Sequence, residues 1–588
     1  MNRLSRRDFL AGAAAVAPGL ATDLRRPADA KAAINTRGAL TASFNFHGHA
    51  TDFFVEESQA EDMGTYLGEF VQQRCLRQLH GPWSVFFRPD VGGGRHEVVV
   101  EYGQCFGEPG TVPKHIMTPF TVGILDDGRL LDTIEVPYQW WFSRWRWQST
   151  PRPVVRSPAI LKQRKWVFPF STAAAFGAVP QAARAQRDAV ARGPMGTGGL
   201  LTAMGATGDR SELGLVTEPQ AEYLATESRA ALAVIVDQAE ACGTMPLHYR
   251  DRGTGATVDV DRHPTLTLRN GEAGLRLFEP PPPKQPDGKG GARTDPRFFE
   301  PDDAHMPPAA FVPWALTDDP YYLEELEGQA TYSIIRSLYH RKLHNLPGLV
   351  YPGQTRAFAW SMRTLFQLGV AAPAKPPAWL KSQGYWRGLV TQNRRYFQKF
   401  MDDPQPPCGV FHVATVTNKI SAFQDIYLNL TLAHGVALGF ADWTDAMRWK
   451  ALTLLNLTNG RSGWNRQCPV PYYAALSAVD PGATTVPVPP DAGGRYGYFH
   501  QWPTAWDAYA KANNFPGGGA GWDGVTYMGP NSPSYVVWLR GALAALANVG
   551  VDEARPCLAF IDAMVRKLIA DKKLSAGNWK WSIAAVTT

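Results

Sequence analysis

The chain has 588 residues, of which 45% are apolar and 19% charged, and it carries a formal net charge of +6. That length exceeds one compact core and points to two or three domains, with apolar content ample for folding. So small a positive excess argues against a nucleic-acid binder or a protein held on an anionic membrane by charge.

Residues 1–30 read as a twin-arginine signal peptide. Ser5-Arg6-Arg7-Asp8-Phe9-Leu10 resembles the twin-arginine consensus, a short Ala-rich apolar stretch follows, and Ala28-Asp29-Ala30 supplies the small residues of a cleavage site. The apolar part is well short of the ~20 residues that cross a bilayer, so no membrane anchor is expected after cleavage. These thirty residues hold five Arg and three Asp, which removes +2 from +6 and leaves about +4 on the mature chain. The twin-arginine export machinery carries folded proteins, which implies a periplasmic or secreted bacterial protein; no cofactor is called for.

Residues 31–155 alternate with period two and are broken by Gly and Pro, as in ALTASFNFHG, WSVFFRP, HEVVVEYG and FTVGILDDGRLLDTIEV. They predict an N-terminal antiparallel β-sandwich, with Asp126-Asp127-Gly128 as a hairpin turn. Cys75 and Cys105 both fall here, either as a bridge permitted by an oxidising compartment or as two buried thiols. His47-Gly48-His49 would share a strand face, but without further ligands no metal site is expected, and no zinc-ribbon or zincin spacing occurs. In QWWFSRWRWQ, Trp141, Ser143, Trp145 and Trp147 alternate with Arg144 and Arg146; the aromatic row is expected to pack against the next domain in preference to forming a sugar platform.

Residues 156–588 change to helical periodicity. Segments at 221–241, 307–316, 320–341, 354–370, 384–401, 421–440, 443–458, 501–513, 534–549 and 552–573 read as helices, with weaker ones over 170–192. Thr217 with Gln220 forms a capping box, and Asp319-Pro320 places a cap before proline at the first helical position. The β-interruption near 256–280 and the Pro-rich insert at 280–296 read as loops on this helical domain.

The stretches GPMGTGGLLTAMGATGDRSELG, GTMPLHYRDRGTG, DDAHMPPAAFVPWALTDDPYYLEEL and GQTRAFAWSMRTL, spread over many paired helices, resemble the six-hairpin superfamily of glycosidases and polysaccharide lyases. The resemblance implies an (α/α)6 toroid catalytic domain following the sandwich, and a polysaccharide or oligosaccharide substrate. A sandwich ahead of the ring favours hydrolysis by analogy.

Four polar clusters are candidates for the funnel of such a ring. Asp209 and Arg210 lie in a glycine-bearing loop. His248, Tyr249, Arg250 and Asp251 supply an imidazole, a phenol, a guanidinium and a carboxylate in succession. In EPDDAHMPP, one of Asp302 and Asp303 caps a following helix started by Pro307 and Pro308, and the other faces the cavity with His305. The late Gly-rich loop brings Trp522, Asp523 and Tyr527, and Trp464, Trp502 and Trp522 could stack on pyranose rings.

Hydrolysis needs a protonated acid and a second carboxylate. That pair would be drawn from Asp209, Asp251, Asp303 and Asp523. β-Elimination would instead use His248, Tyr249 or His305 as base and Arg250 as neutraliser. A non-catalytic glycan-binding or envelope-assembly protein is the third reading.

Overall fold

The computed structural model describes residues 38–586 except 104–111, 172–191, 207–209, 270, 278, 288–290, 403–408, 410, 412–418, 462–463, 473, 476–509, 511–523, 530–531 and 575–578. Most of the segments 170–192 and 501–513 therefore lie outside the described residues.

The N-terminal region holds two antiparallel sheets. Strands β1 (Leu40–Asn45), β2 (Phe53–Glu56), β7 (Phe120–Asp126) and β8 (Arg129–Val136) pair in the order β2-β1-β7-β8. Strands β3 (Glu61–Leu67), β4 (Gln72–His80), β5 (Trp83–Pro89), β6 (His96–Tyr102) and β9 (Ser143–Gln148) pair in sequence order. The β7–β8 hairpin turns where Asp127 and Gly128 both take positive φ, 48° and 80°, which suits the right-handed twist of its strands. Facing side chains join the sheets: Trp83 lies 5.3 Å from Phe44 and 5.7 Å from Phe120, and Trp147 Nε1 donates to Asp132 across the gap at 3.0 Å. The Trp row of β9 thus serves the packing between the two sheets, and it is the arginine row that turns toward the helices. Cys75 is a free, buried thiol, and Cys105 lies outside the described residues.

Twelve α-helices follow among the described residues. They are α1 (Pro158–Gln163), α2 (Glu218–Thr226), α3 (Arg229–Ala241), α4 (Phe311–Thr317), α5 (Pro320–Ile335), α6 (Leu338–His344), α7 (Thr355–Ala371), α8 (Gln383–Met401), α9 (Ala422–Ala437), α10 (Thr444–Thr458), α11 (Ser534–Asn548) and α12 (Ala554–Ala570). The capping box at Thr217 and Gln220 starts α2, and Asp319 Oδ1 accepts from the Tyr321 amide to start α5. The segment expected as one helix over 221–241 breaks at Glu227, which is left-handed at φ 56°. Helices α5, α7, α9 and α11 are buried almost all round, whereas α8 and α12 bury only a stripe, such as Trp386, Leu389, Val390, Asn393 and Phe397. Buried helices neighbour one another in chain order, α5 on α7, α7 on α9 and α9 on α11, each of the last three backed by the next amphipathic helix. The insert at 280–296 is a small hairpin, Lys284–Pro286 against Ala292–Thr294. No helix of the described residues is long and apolar enough to cross a membrane.

A layer of buried charge joins sheet to helix. On the outer face of the five-stranded sheet Arg88 pairs in register with Glu97, and Glu101 with Arg144. Helix α5 lays Asp319, Glu324 and Glu325 on this face. Glu324 binds Arg88 at 2.7 Å, Arg144 at 3.0 Å and also Arg250. Glu325 binds Arg144 at 2.7 Å and His248 Nε2 at 3.0 Å, and Asp319 binds Arg146 at 2.7 Å. Burial alone would raise the Glu324 carboxyl, but the three guanidinium groups outweigh it and hold the group well below the usual carboxylate range.

Candidate active site

A cavity of about 280 Å³ lies where the two-sheet unit, the Pro-rich insert and α5 meet, beside the Asp-Asp-Ala-His stretch. Junctions of this kind are common places for ligand pockets, and the volume stands at the lower end of their ~300–1,000 Å³ range. Trp141 and His115 line it from the sheet side, Glu279, Pro280 and Phe298 from the insert, Asp302 from the turn ahead of α4, and Tyr332 and Arg336 from the end of α5.

The Asp-Asp-Ala-His stretch builds one wall. Asp302 Oδ1 accepts from the Ala304 amide at 2.9 Å, which caps a single 3-10 turn, Asp303–His305. Sequence reasoning expected this cap on the helix itself. The two prolines keep the backbone extended, however, and α4 begins only at Phe311. The same Asp302 oxygen receives His305 Nδ1 at 2.7 Å. Asp303 is buried, with its Oδ2 3.2 Å from Arg336 Nη1. Arg336 Nη1 also donates to Tyr332 Oη at 2.7 Å, and Tyr332 donates to the Pro301 carbonyl.

Three carboxyl groups here have been driven apart in acidity. Glu279 is exposed as a residue, yet the protein about its carboxyl group desolvates it and pushes it up to about 7, against the opposing effects of the Tyr249 hydrogen bond, Arg336 and Arg276. Tyr249 Oη donates to Glu279 Oε1 at 3.2 Å. Burial would also raise Asp302, yet the hydrogen bond and charge of His305, Arg336 and the Ala304 amide outweigh it and lower this carboxyl. Asp303, fully enclosed, is pushed up to about 6 by burial, with Arg336 opposing. Tyr332 is raised well above the ordinary phenol range by burial, so it stays neutral.

Of the predicted residues, Asp303 and His305 share the turn capped by Asp302, Tyr249 reaches the cavity wall through Glu279, and none of the three lines the cavity itself; Arg210 reaches the same turn through Nη2, 3.4 Å from the His305 carbonyl. Other candidates go elsewhere. His248 and Arg250 are consumed by the ionic layer: His248 Nδ1 meets the Phe142 carbonyl at 2.9 Å and its Nε2 meets Glu325, while Arg250 binds Glu101 at 2.8 Å and Glu324. The void beside them is about 10 Å³, too small for a ligand. Asp251 closes a tight turn by accepting from the Thr254 amide at 3.0 Å and sits 3.8 Å from His263. Trp464 is buried with its Nε1 on the Cys468 carbonyl at 2.9 Å, so its ring is core. Tyr527 is half-buried beside the same segment. Asp209, Trp502, Trp522 and Asp523 lie outside the described residues.

Sequence reasoning missed Glu279, Tyr332 and Arg336, and it divided the cap and the cavity between Asp302 and Asp303, where Asp302 does both. Glu279 opens a run of four prolines, and an acidic residue at the hinge between an apolar strand and a rigid proline run was the available signal.

The chain matches no family model, no curated protein and no solved structure. Its function is therefore argued from this cavity.

Proposed function

We propose that the chain is a carbohydrate-active enzyme that hydrolyses glycosidic bonds of a polysaccharide or oligosaccharide. Glu279 is the protonated acid that delivers a proton to the leaving oxygen, and Asp302, kept ionised, is the second carboxylate. The observation that carries this reading is that two carboxyl groups lining one cavity are displaced in opposite directions, Glu279 up to about 7 and Asp302 downward. Trp141 and Phe298 give that cavity an aromatic side against which a sugar ring can lie.

In this proposal the helical region closes as an (α/α)6 toroid behind the sheets, over residues 156–588. Support comes from the succession of buried helices and from Trp360, Tyr427, Trp538 and Trp581. These rings, contributed by α7, α9, α11 and the C-terminal turn, follow one another at 4.9, 5.5 and 5.9 Å. The C-terminal turn touches both α11, the last of the buried series, and α2, which precedes that series in the chain. Export by the twin-arginine machinery to the periplasm or medium belongs to the same proposal and rests on the motif at residues 5–10.

Elimination from a uronate is the second reading, favoured by the Tyr332–Arg336 pair in the cavity. It ranks lower because burial holds Tyr332 neutral, and a base must first lose its proton. The test is a glycan panel incubated with the mature protein, recording new reducing ends together with absorbance from unsaturated uronates. Reducing ends without that absorbance are expected. Strong absorbance would install elimination in its place, and absence of both products would refute an enzyme of either kind.

A further inference from the structure

Asp302, the cap of the Asp303–His305 turn, lines the cavity with Glu279. The same turn also packs against α7, where Arg356 is the second helical residue. Arg356 is 8% exposed, and its Nε is buried without a hydrogen-bond partner. Among the described residues no hydrogen bond or ion pair reaches this guanidinium, which only lies over the Phe423 ring at 5.9 Å. Every comparable arginine nearby is occupied. Arg210 has Glu212 at 2.8 Å, Arg336 has Asp303, and Arg363 has the Gly214 and Met306 carbonyls.

The surroundings add to the excess of positive potential. Helix α7 is 17 residues long, and its N-cap, Gln354, makes no side-chain capping bond; Gln424 Oε1 accepts from the Arg356 amide at 3.1 Å, and the positive end of the helix dipole lies beside the guanidinium. Arg210 lies close enough to repel Arg356. Asp302 is within electrostatic reach, but its carboxylate is already engaged by His305 and the Ala304 amide. Tyr427, Tyr472 and Tyr535 complete the neighbourhood. A guanidinium whose Nε is buried and unmatched is costly, and the chemistry that relieves it is an anion with oxygens in the plane of the fork.

We propose that Arg356 and the N-terminus of α7 form an anion-binding subsite beside Asp302, which takes the carboxylate or sulfate substituent of a glycan whose glycosidic bond lies at Glu279. The substrate class is then an acidic glycan. This rests on the glycan reading given above, and binding is measured separately from cleavage so that the two can fail separately.

The experiment titrates the mature protein, carrying Glu279→Gln so that turnover is slow on the timescale of the titration, with a uronate trimer, a sulfated trimer and the unsubstituted neutral trimer. One anionic trimer is expected to bind about ten-fold more tightly than the neutral one, and Arg356→Gln to abolish that preference while leaving neutral binding unchanged. Which anionic trimer is preferred identifies the substituent. Equal affinity for neutral and anionic trimers, binding of none of them, or a preference that survives Arg356→Gln overturns the subsite. If the variant does not fold, the protein retaining Arg356 decides the matter across a sodium chloride series: the anionic preference shrinks with salt if the subsite exists, and a flat response overturns it. Preference for an anionic trimer without any cleavage by the wild type would leave the subsite standing and remove the hydrolase. Cleavage of a neutral glycan at a rate untouched by Arg356→Gln would do the reverse.

Discussion

Replacing Glu324 by Gln keeps the shape of the side chain and removes its charge from between Arg88, Arg144 and Arg250. The carboxylate has no exposed side-chain surface and accepts at 2.7 and 3.0 Å from Arg88 alone. Loss of one partner from a buried ion cluster costs about 3–5 kcal/mol, because the remaining charges stay desolvated. With an unfolding entropy of about 2.1 cal/mol/K per residue, the mature chain unfolds with an entropy on the order of 1 kcal/mol/K, so Tm should fall by ~3–4 °C at pH 7. The sign with pH is fixed by the depressed carboxyl. Its stabilisation is fully present above the unfolded value near ~4.3 and is lost as pH falls through the folded value, so the gap between wild type and variant narrows below pH ~4. Calorimetric melting from pH 3 to pH 7 reads both features. The control is Arg74→Ala, whose pair with Asp62 is half-exposed and worth at most ~1 kcal/mol, about a degree. Equal melting of wild type and Glu324→Gln at pH 7, or a gap that widens in acid, would refute the argument.

The remaining predictions concern the cavity. Glu279→Gln should lower kcat/KM on the best glycan by about 10²–10⁴-fold. In the wild type the rate should fall as pH rises through about 7, where Glu279 gives up the proton it must donate, and the variant's residual rate should lack that limb. Asp302→Asn should cause a loss of the same order and leave the alkaline limb in place, because Asp302 acts ionised and its own limb lies below the usual carboxylate range. For Asp303→Asn the readout is stability: the raised carboxyl makes the wild type lose stability relative to the variant as pH rises from ~4 through about 6, which melting curves at pH 4 and pH 7 would show.

Local signals in the sequence were legible wherever the physics was local. The Thr217–Gln220 box, the Asp319-Pro320 cap and the Asp127-Gly128 turn are each completed within a few residues, and each is present. The two-sheet region and the helical region followed from the same local periodicities. What could not be read was which charges meet. His248 finds Glu325 77 positions away, and Arg250 finds Glu101 149 positions away, so their neighbours in sequence suggested a reactive loop where tertiary packing made an ion layer. The Trp row of β9 was equally visible, but whether it faced a sheet or a helix depended on which way the strand was laid. Glu279 was hidden by its prolines, which mark a linker by composition even when they form the rigid wall of a pocket. The break at Glu227 has no glycine to announce it.

The ionic layer and the cavity share one element, and this gives the layer a use beyond stability. Helix α5 holds Asp319, Glu324 and Glu325 against the sheet, and 12 residues beyond Glu324, about 18 Å along the axis, it ends at Arg336, opposite Asp303. A buried ion cluster is seldom more stable than apolar side chains of the same volume, so stability alone is a weak reason for its presence. Apolar packing, however, tolerates a helix that slides or rotates by a fraction of a residue. Arg88 and Arg250 gripping Glu324 with directed hydrogen bonds do not. Because the helix is stiff, the register set at Glu324 is delivered to Tyr332 and Arg336, and the hydrolysis proposed for Glu279 and Asp302, which would require those groups to stay within about half an ångström of a working geometry, would depend on that register.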